Sequence, residues 1–146
     1  MAKKYSTGKF QLQHPEKYVG KNTPTWRSSW EFTVMSMLDN HPSIIQWANE
    51  AIHISYRNPF TGKNTIYVPD FFVMYEDAAG HKQGEVWEIK PSKETSLDEA
   101  RSTRDQAAAI LNMAKWQAAQ AWCKAQNIRF RILTEKDLWD QRISRK

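Results

Sequence analysis

Apolar and polar positions fall into two runs, 65–75 and 83–90, both dense in β-branched and aromatic residues. The polar stretch 76–82 separates them and carries Asp77 and Gly80. This pattern predicts two antiparallel strands joined by a turn centred near Ala79. Upstream, Trp30, Val34, Met37 and Leu38 recur at helical spacing and predict a first helix over 28–38. Ser28 and Glu31 read as a capping box, in which the Glu31 carboxylate bonds back to the Ser28 amide. Asn40-His41-Pro42 ends that helix. Residues 43–50 read as a short helical or looped link that buries Ile44, Ile45 and Trp47. Residues 51–56 alternate, with Ile52, Ile54 and Tyr56 on one side, as a half-buried strand does. Asn58, Pro59 and Gly62 mark a turn, so this strand and the two that follow predict a three-strand meander.

Downstream, Ser96 and Glu99 form a second capping box. The helix it opens runs to about Gln126, with Arg104 a candidate break. Its expected apolar face is Ala107, Ile110, Leu111, Ala114, Ala118, Ala121, Trp122 and Ala125. Asn127 is placed to cap it. Residues 128–133 alternate Ile128, Phe130 and Ile132 with Arg129 and Arg131, a fourth strand. Thr134 caps a last short helix carrying Leu138 and Trp139. This order predicts an α/β domain over 28–146, with a mixed four-stranded sheet flanked by helices on both faces. Residues 1–27 read as an extended basic arm, with six lysines and arginines against Glu16 alone. Such an arm is either draped on the surface or laid on a nucleic acid or protein partner.

Composition narrows the class without naming a chemistry. The chain has 146 residues, 40% hydrophobic and 25% charged, which suits one packed domain. No apolar run is long enough to span a membrane. Residues 1–11 lack the apolar core of a secretory signal. One cysteine, Cys123, gives no internal disulfide, and it sits beside the apolar face of the long helix as packing. The setting expected is reducing and intracellular. A formal charge of +5 mildly favours polyanionic partners. His14, His41, His53 and His81 have no metal-ligand spacing, and no glycine-rich phosphate loop is present.

The candidate chemistry lies in the paired runs. Asp70 stands nine residues before Ala79 and Glu88 nine after, so the two should face each other. Opposed side chains in such a pair sit about 4.5–5.5 Å apart, and like charges there repel. Lys90, two residues beyond Glu88, points to the same face. The rest of that face is apolar: Ile66, Val68, Phe72, Met74 and Val86. Two carboxylates on an apolar surface are costly, and one ammonium only partly relieves them. A divalent cation would resolve the conflict, since Mg²⁺ favours one or two carboxylates plus water and phosphate oxygens. Pro69 cannot donate a ladder hydrogen bond and marks an edge or bulge that can re-aim Asp70. Arg27, Lys93, Arg101, Arg104 and Lys115 are candidates for phosphate contacts.

Pro69-Asp70 followed by Glu88-Ile89-Lys90 resembles the PD-(D/E)XK nuclease signature. The likeness extends to Thr25-Trp26-Arg27-Ser28-Ser29-Trp30-Glu31, Gln46-Trp47-Ala48-Asn49-Glu50, Tyr67-Val68-Pro69-Asp70 and Phe130-Arg131-Ile132-Leu133-Thr134-Glu135. In that order they resemble the head-completion nucleases of tailed bacteriophages, which are related to the endonuclease subunit of heteromeric transposases. The resemblance implies a restriction-endonuclease-like core. It implies that Asp70, Glu88 and the Ile89 carbonyl bind Mg²⁺ or Mn²⁺, with Glu31 holding the ion directly or through water. Lys90 would orient the attacking water or stabilise charge on the phosphate. Glu50 is either a supporting residue of that site or a solvated link residue.

The resemblance further implies double-stranded DNA as substrate, phage head, neck or portal proteins as partners, and the infected host's cytoplasm or the virion as location. A metal-dependent endonuclease is therefore expected. The alternatives are a non-catalytic assembly protein on the same fold, or a repair or transposition nuclease. The intact acid set favours catalysis, and the absence of a separate DNA-reading module disfavours sequence-specific cutting.

Overall fold

The computed structural model describes residues 7–139. In chain order its elements are β1 (Gly8–Lys9), β2 (Thr25–Trp26), α1 (Ser29–Asn40), β3 (Ile44–Asn49), β4 (Ile54–Arg57), β5 (Asn64–Tyr67), β6 (Phe71–Glu76), β7 (Lys82–Ile89), α2 (Thr103–Ala125), β8 (Arg129–Leu133) and α3 (Glu135–Trp139). Four strands form a mixed sheet in the order β3-β6-β7-β8. The pairs β3–β6 and β6–β7 are antiparallel, and β7–β8 is parallel. The expected mixed four-stranded sheet is present, and β6 pairs with β7 from Phe71↔Trp87 to Glu76↔Lys82, every pair equidistant from Ala79. The hairpin register is the one the turn chemistry sets.

The membership of the sheet differs from expectation in two places. The run 65–75 is not one strand: it breaks at Val68, Pro69 and Asp70. Its first part, β5, pairs with β4 in a separate two-stranded ribbon, so Ile66 lies outside the main sheet and is exposed. Residues 43–50 are not a link but the edge strand β3, which takes the place expected for 51–56. Its burial follows Ile44, Trp47 and Ala48, a helix-like spacing. The cause is a register shift between Ile44 and Gln46, which breaks the two-residue alternation of a regular strand.

One face of the sheet packs on α1. Val34, Met35 and Leu38 meet Ile44, Trp47, Phe71, Val73, Trp87, Ile89 and Leu133. Met35 replaces Met37 at the centre of the expected stripe, and Trp30 and Met37 lie at its margin. The N-terminal segment covers the same layer: Phe10 is part of this core, and the Tyr18 ring meets Trp47 edge-on at 4.8 Å. The buried Asp39 carboxylate accepts from the amides of Gln13 and His14 at 2.7 and 3.0 Å, and Lys17 Nζ donates to the carbonyls of Asp39 and His41 at 3.0 and 2.8 Å. Four hydrogen bonds thus fasten the segment to the end of α1. Beneath the same layer Glu85, 1% exposed, accepts from Tyr75 Oη and Trp87 Nε1, both at 2.7 Å, and pairs with Arg131 at 3.3 Å. That carboxylate is held in the core by three donor side chains.

The other face packs on α2 and the β4–β5 ribbon. Ile54, Tyr56, Tyr67, Trp116 and Ala119 are its buried centre, with Phe130 and Ile132 alongside. The helix begins at Thr103, not near Ser96, and Ser102 is its cap, with Oγ accepting from the Asp105 amide at 3.1 Å. The buried positions of α2 are Ala109, Asn112, Trp116, Ala119 and Cys123. The expected face was rotated: Ala107, Ala121 and Ala125 are exposed, as is Ile110. Alanine gives a weak stripe, and a polar residue, Asn112, is drawn inward because its Nδ2 donates to the Glu94 carbonyl at 3.1 Å. Asn127 follows the helix in the left-handed region, φ +61°, a capping conformation that asparagine tolerates. Thr134 caps α3 through the Lys136 amide at 3.2 Å; the side chains of Leu138 and Trp139 lie outside the described residues. Ser102→Ala is expected to cost about 1 kcal/mol, read as a lowered denaturant midpoint with an unchanged slope.

Candidate active site

The break between β5 and β6 builds the site. Asp70 sits one residue before β6 and Glu88 one residue before the end of β7, extending the hairpin register by one pair. The Ile89 amide donates to Asp70 Oδ2 at 2.8 Å, and the Asp70 amide reaches Glu88 Oε1 at 3.3 Å. Lys90 Nζ stands 3.9 Å from Glu88 Oε2, and its amide donates to the Leu133 carbonyl of β8 at 2.9 Å. Glu88 is 6% exposed, and Asp70 and Lys90 are half-buried. The expected meeting of Asp70, Glu88 and Lys90 is what the structure contains.

Glu31 reaches the same place from the first turn of α1. Its Oε1 accepts from the Arg27 amide at 3.0 Å, rather than from the Ser28 amide expected of the capping box, while Ser28 Oγ accepts from the Glu31 amide at 3.2 Å. Burial raises the Glu31 carboxyl above the usual carboxylate range, and Glu50 adds to the rise. Asp70 is pushed well up, first by burial and then by the charges of Glu88 and Glu31. Glu88 is raised by burial, against the pull of Lys90, Tyr67 and Lys115. Three neighbouring carboxyls that all resist ionisation mark a place where positive charge is wanting.

Among the described residues, no three His, Cys, Asp or Glu side chains converge closely enough to cage a metal by themselves. The donor set instead suits a hard cation of the Mg²⁺ kind, which takes one or two carboxylates and completes its shell with water and phosphate oxygens. Asp70 and Glu88 could hold such a cation, with the Glu31 carboxylate near enough to act on Asp70 electrostatically.

Sequence reasoning missed Asn49, which together with Glu50, a residue it left open between site support and a solvated link, holds Asp70 in place. Asn49, at the end of β3, donates through Nδ2 to the Asp70 carbonyl at 3.0 Å and accepts from the Thr25 amide at 3.1 Å. The Glu50 amide donates to the same carbonyl at 2.9 Å. Glu50 adopts φ +52°, an uncommon region for a residue with a side chain, at the corner where β3 turns toward the site. Its carboxylate takes both Nε and Nη2 of Arg27, at 3.1 and 3.0 Å. A cleft of about 630 Å³ opens beside this pair, lined by Lys21, Thr23, Arg27, Asn49, Glu50 and His53 among others. The signal that existed was Asn49-Glu50 following an apolar run.

On the opposite side, Lys115 of α2 lies over the rings of Tyr56 and Tyr67, 6.0 and 5.7 Å from their centroids. Its ammonium is disfavoured by burial and by Lys90, and favoured by Glu88. Of the five basic candidates, Lys115 is thus brought to the carboxylates, and Arg27 to their edge through Glu50. Lys93 follows Lys90 on the turn Ser92–Glu94; Arg101 and Arg104 are exposed around the start of α2. The buried Tyr67 hydroxyl is held protonated by burial and by the charge of the neighbouring Glu88.

Residues 41–135 match the family described as "TnsA-like endonuclease N terminal". The chain is also similar to the head completion nuclease of Enterobacteria phage T4, 34% identical over 143 residues that span 90% of this chain and 93% of that protein. The matched span runs from the end of α1 through β8 and contains Asp70, Glu88 and Lys90.

Proposed function

The chain belongs to the TnsA-like endonuclease N-terminal family and its role is that of a nuclease; from that premise we propose a metal-dependent endodeoxyribonuclease that cuts double-stranded DNA during phage head completion. The observation that supports it is the junction of Asp70, Glu88 and Lys90, in which the Ile89 amide fixes Asp70 at 2.8 Å and Lys90 Nζ stands 3.9 Å from Glu88. A bound Mg²⁺ or Mn²⁺ would supply positive charge at the phosphate and a source of hydroxide near neutral pH. Asp70, Glu88 and the Ile89 carbonyl would hold that ion, and Glu31 would support it directly or through water. Lys90 presents a compact ammonium that orients the nucleophile and offsets charge developing on the phosphate oxygens. Lys115, beside Glu88, holds a phosphate oxygen from the α2 side. Arg27, Lys93, Arg101 and Arg104 meet flanking phosphates, which positions the duplex without reading its sequence. The work is done in the infected host's cytoplasm or on the virion, beside head, neck or portal proteins.

The test uses supercoiled plasmid with Mg²⁺ or Mn²⁺. The parent is expected to nick and linearise it, and Lys90→Ala to lose about 10²-fold or more in rate. Mg²⁺ is expected to raise the parent's melting temperature more than that of Asp70→Ala, because a ligand stabilises only the fold that binds it. Equal cleavage by parent and Lys90→Ala would overturn the site. No cleavage with any divalent metal would leave the non-catalytic assembly role.

A further inference from the structure

The β4–β5 ribbon stands outside the main sheet, and only one of its faces is covered. Ile54, Tyr56 and Tyr67 pack against Trp116 and Ala119 of α2. The outer face carries the pairs Ser55↔Ile66 and Arg57↔Asn64, and Ile66 is 53% exposed. At the tip Phe60 is 58% exposed. That exposure is built, not incidental. Asn58 Oδ1 accepts from the Phe60 and Thr61 amides at 2.8 and 3.3 Å, and the Asn58 carbonyl accepts from the Gly62 amide at 2.8 Å. Thr61 Oγ1 accepts from the Lys63 amide at 3.2 Å, and Gly62 takes φ +71° to close the turn. A turn whose backbone is bonded in this way has already lost backbone freedom that a binding contact would otherwise cost, and it presents Phe60 to solvent.

Two further observations say what the ribbon meets. From Ala51 to Pro69 there is no acidic residue, and the charged side chains are Arg57 and Lys63. The ribbon also ends at the site: Tyr67 lies three residues before Asp70, beneath Lys115, and the intervening Pro69 is fully buried. Four strand residues project the tip roughly 13 Å from that base. A two-stranded ribbon fits the major groove of B-form DNA, which is about 12 Å wide.

Given the nuclease reading of the Asp70 site, on which this rests, we propose that the ribbon enters the major groove beside the phosphate to be cut, with Phe60 against the bases and Arg57 and Lys63 on the flanking phosphates. The ribbon then sets which stretch of duplex lies over Asp70 and Glu88, and it favours base steps that open easily.

The test measures binding to a fluorescent duplex in EDTA, so that no cleavage is needed. Phe60→Ala is expected to weaken binding about 10-fold, the scale of one lost contact to a base edge in the major groove, and Phe60→Trp to restore it. Arg57→Ala combined with Lys63→Ala is expected to lower the salt slope of binding by about 2, one unit per phosphate released. All three side chains are exposed, so melting temperatures should stay near the parent's and report any misfolding directly. Unchanged affinity and salt slope in these variants would overturn the proposal and assign the exposed tip to a protein partner. Cleavage of the same duplex by the parent in Mg²⁺ is read separately. Binding that depends on Phe60 without cleavage would sustain the ribbon while removing the nuclease reading.

Discussion

Asp70→Asn is expected to lower cleavage by about 10³-fold or more and, in the metal-free protein, to raise the melting temperature by a few degrees. Both effects have one cause. The amide keeps an oxygen that can accept from the Ile89 amide, so the shape of the site survives. What disappears is a charge that burial disfavours and that Glu88 and Glu31 repel. A bound divalent cation would need that charge, whereas the metal-free fold is expected to do better without it.

The pH dependence follows from the direction of the shift. A carboxyl raised in the folded state binds its proton more tightly there than in the unfolded chain. Its contribution to stability therefore falls as pH rises from the ordinary Asp range, about 4, through the raised folded value. Below that window Asp70 is neutral in both states, and parent and variant should melt together. Above it the gap in favour of Asp70→Asn should be full and constant. Thermal melts in EDTA across mildly acidic to mildly alkaline pH read the gap directly, and Mg²⁺ should close it by lifting the parent alone. A variant that melts below the parent at neutral pH would show that the Lys90 ammonium more than compensates the carboxylates.

Trp47→Ala is expected to cost about 3–5 kcal/mol, the usual scale for truncating a buried aromatic, and to lower the melting temperature by roughly 10–20 °C. Trp47 is 0% exposed and stands where three parts of the fold meet. Its ring meets Tyr18 and Phe10 edge-on at 4.8 and 6.1 Å, and Phe71 at 6.2 Å. Tyr18 and Phe10 belong to the N-terminal segment, and Phe71 follows Asp70. The cavity would therefore loosen β3, the segment that crosses it, and the Asn49 and Glu50 amides that hold the Asp70 carbonyl. Cleavage should fall even at temperatures where the variant stays folded. Trp47→Phe should retain most of the stability, because the buried indole Nε1 makes no hydrogen bond that phenylalanine would forfeit. Chemical denaturation of the three proteins separates these outcomes. A loss under 1 kcal/mol for Trp47→Ala would mean that the site collapses to fill the space.

The sequence by itself determined what local chemistry determines. The turn near Ala79 fixed the β6–β7 register, and with it the meeting of Asp70, Glu88 and Lys90. Ser28 and Thr134 announced their helix ends, and 128–133 announced a strand, because capping and alternation are short-range effects. Tertiary structure decided the rest. Residues 44–49 became an edge strand although their apolar spacing is helical, since a register shift hides the alternation and only the β6 ladder supplies the missing partner. The run 65–75 was divided between two sheets at Pro69, whose missing amide cannot join a ladder and whose neighbours reach different partners. The buried face of α2 was chosen by Asn112 and Trp116 rather than by its many alanines, because burial depends on what faces the helix as well as on its own hydropathy. Asn49 came to the candidate site for the same reason, and the choice between the two readings left open for Glu50 was made the same way: the distance they close, to the Asp70 carbonyl, spans about twenty residues of chain and exists only once the sheet has formed.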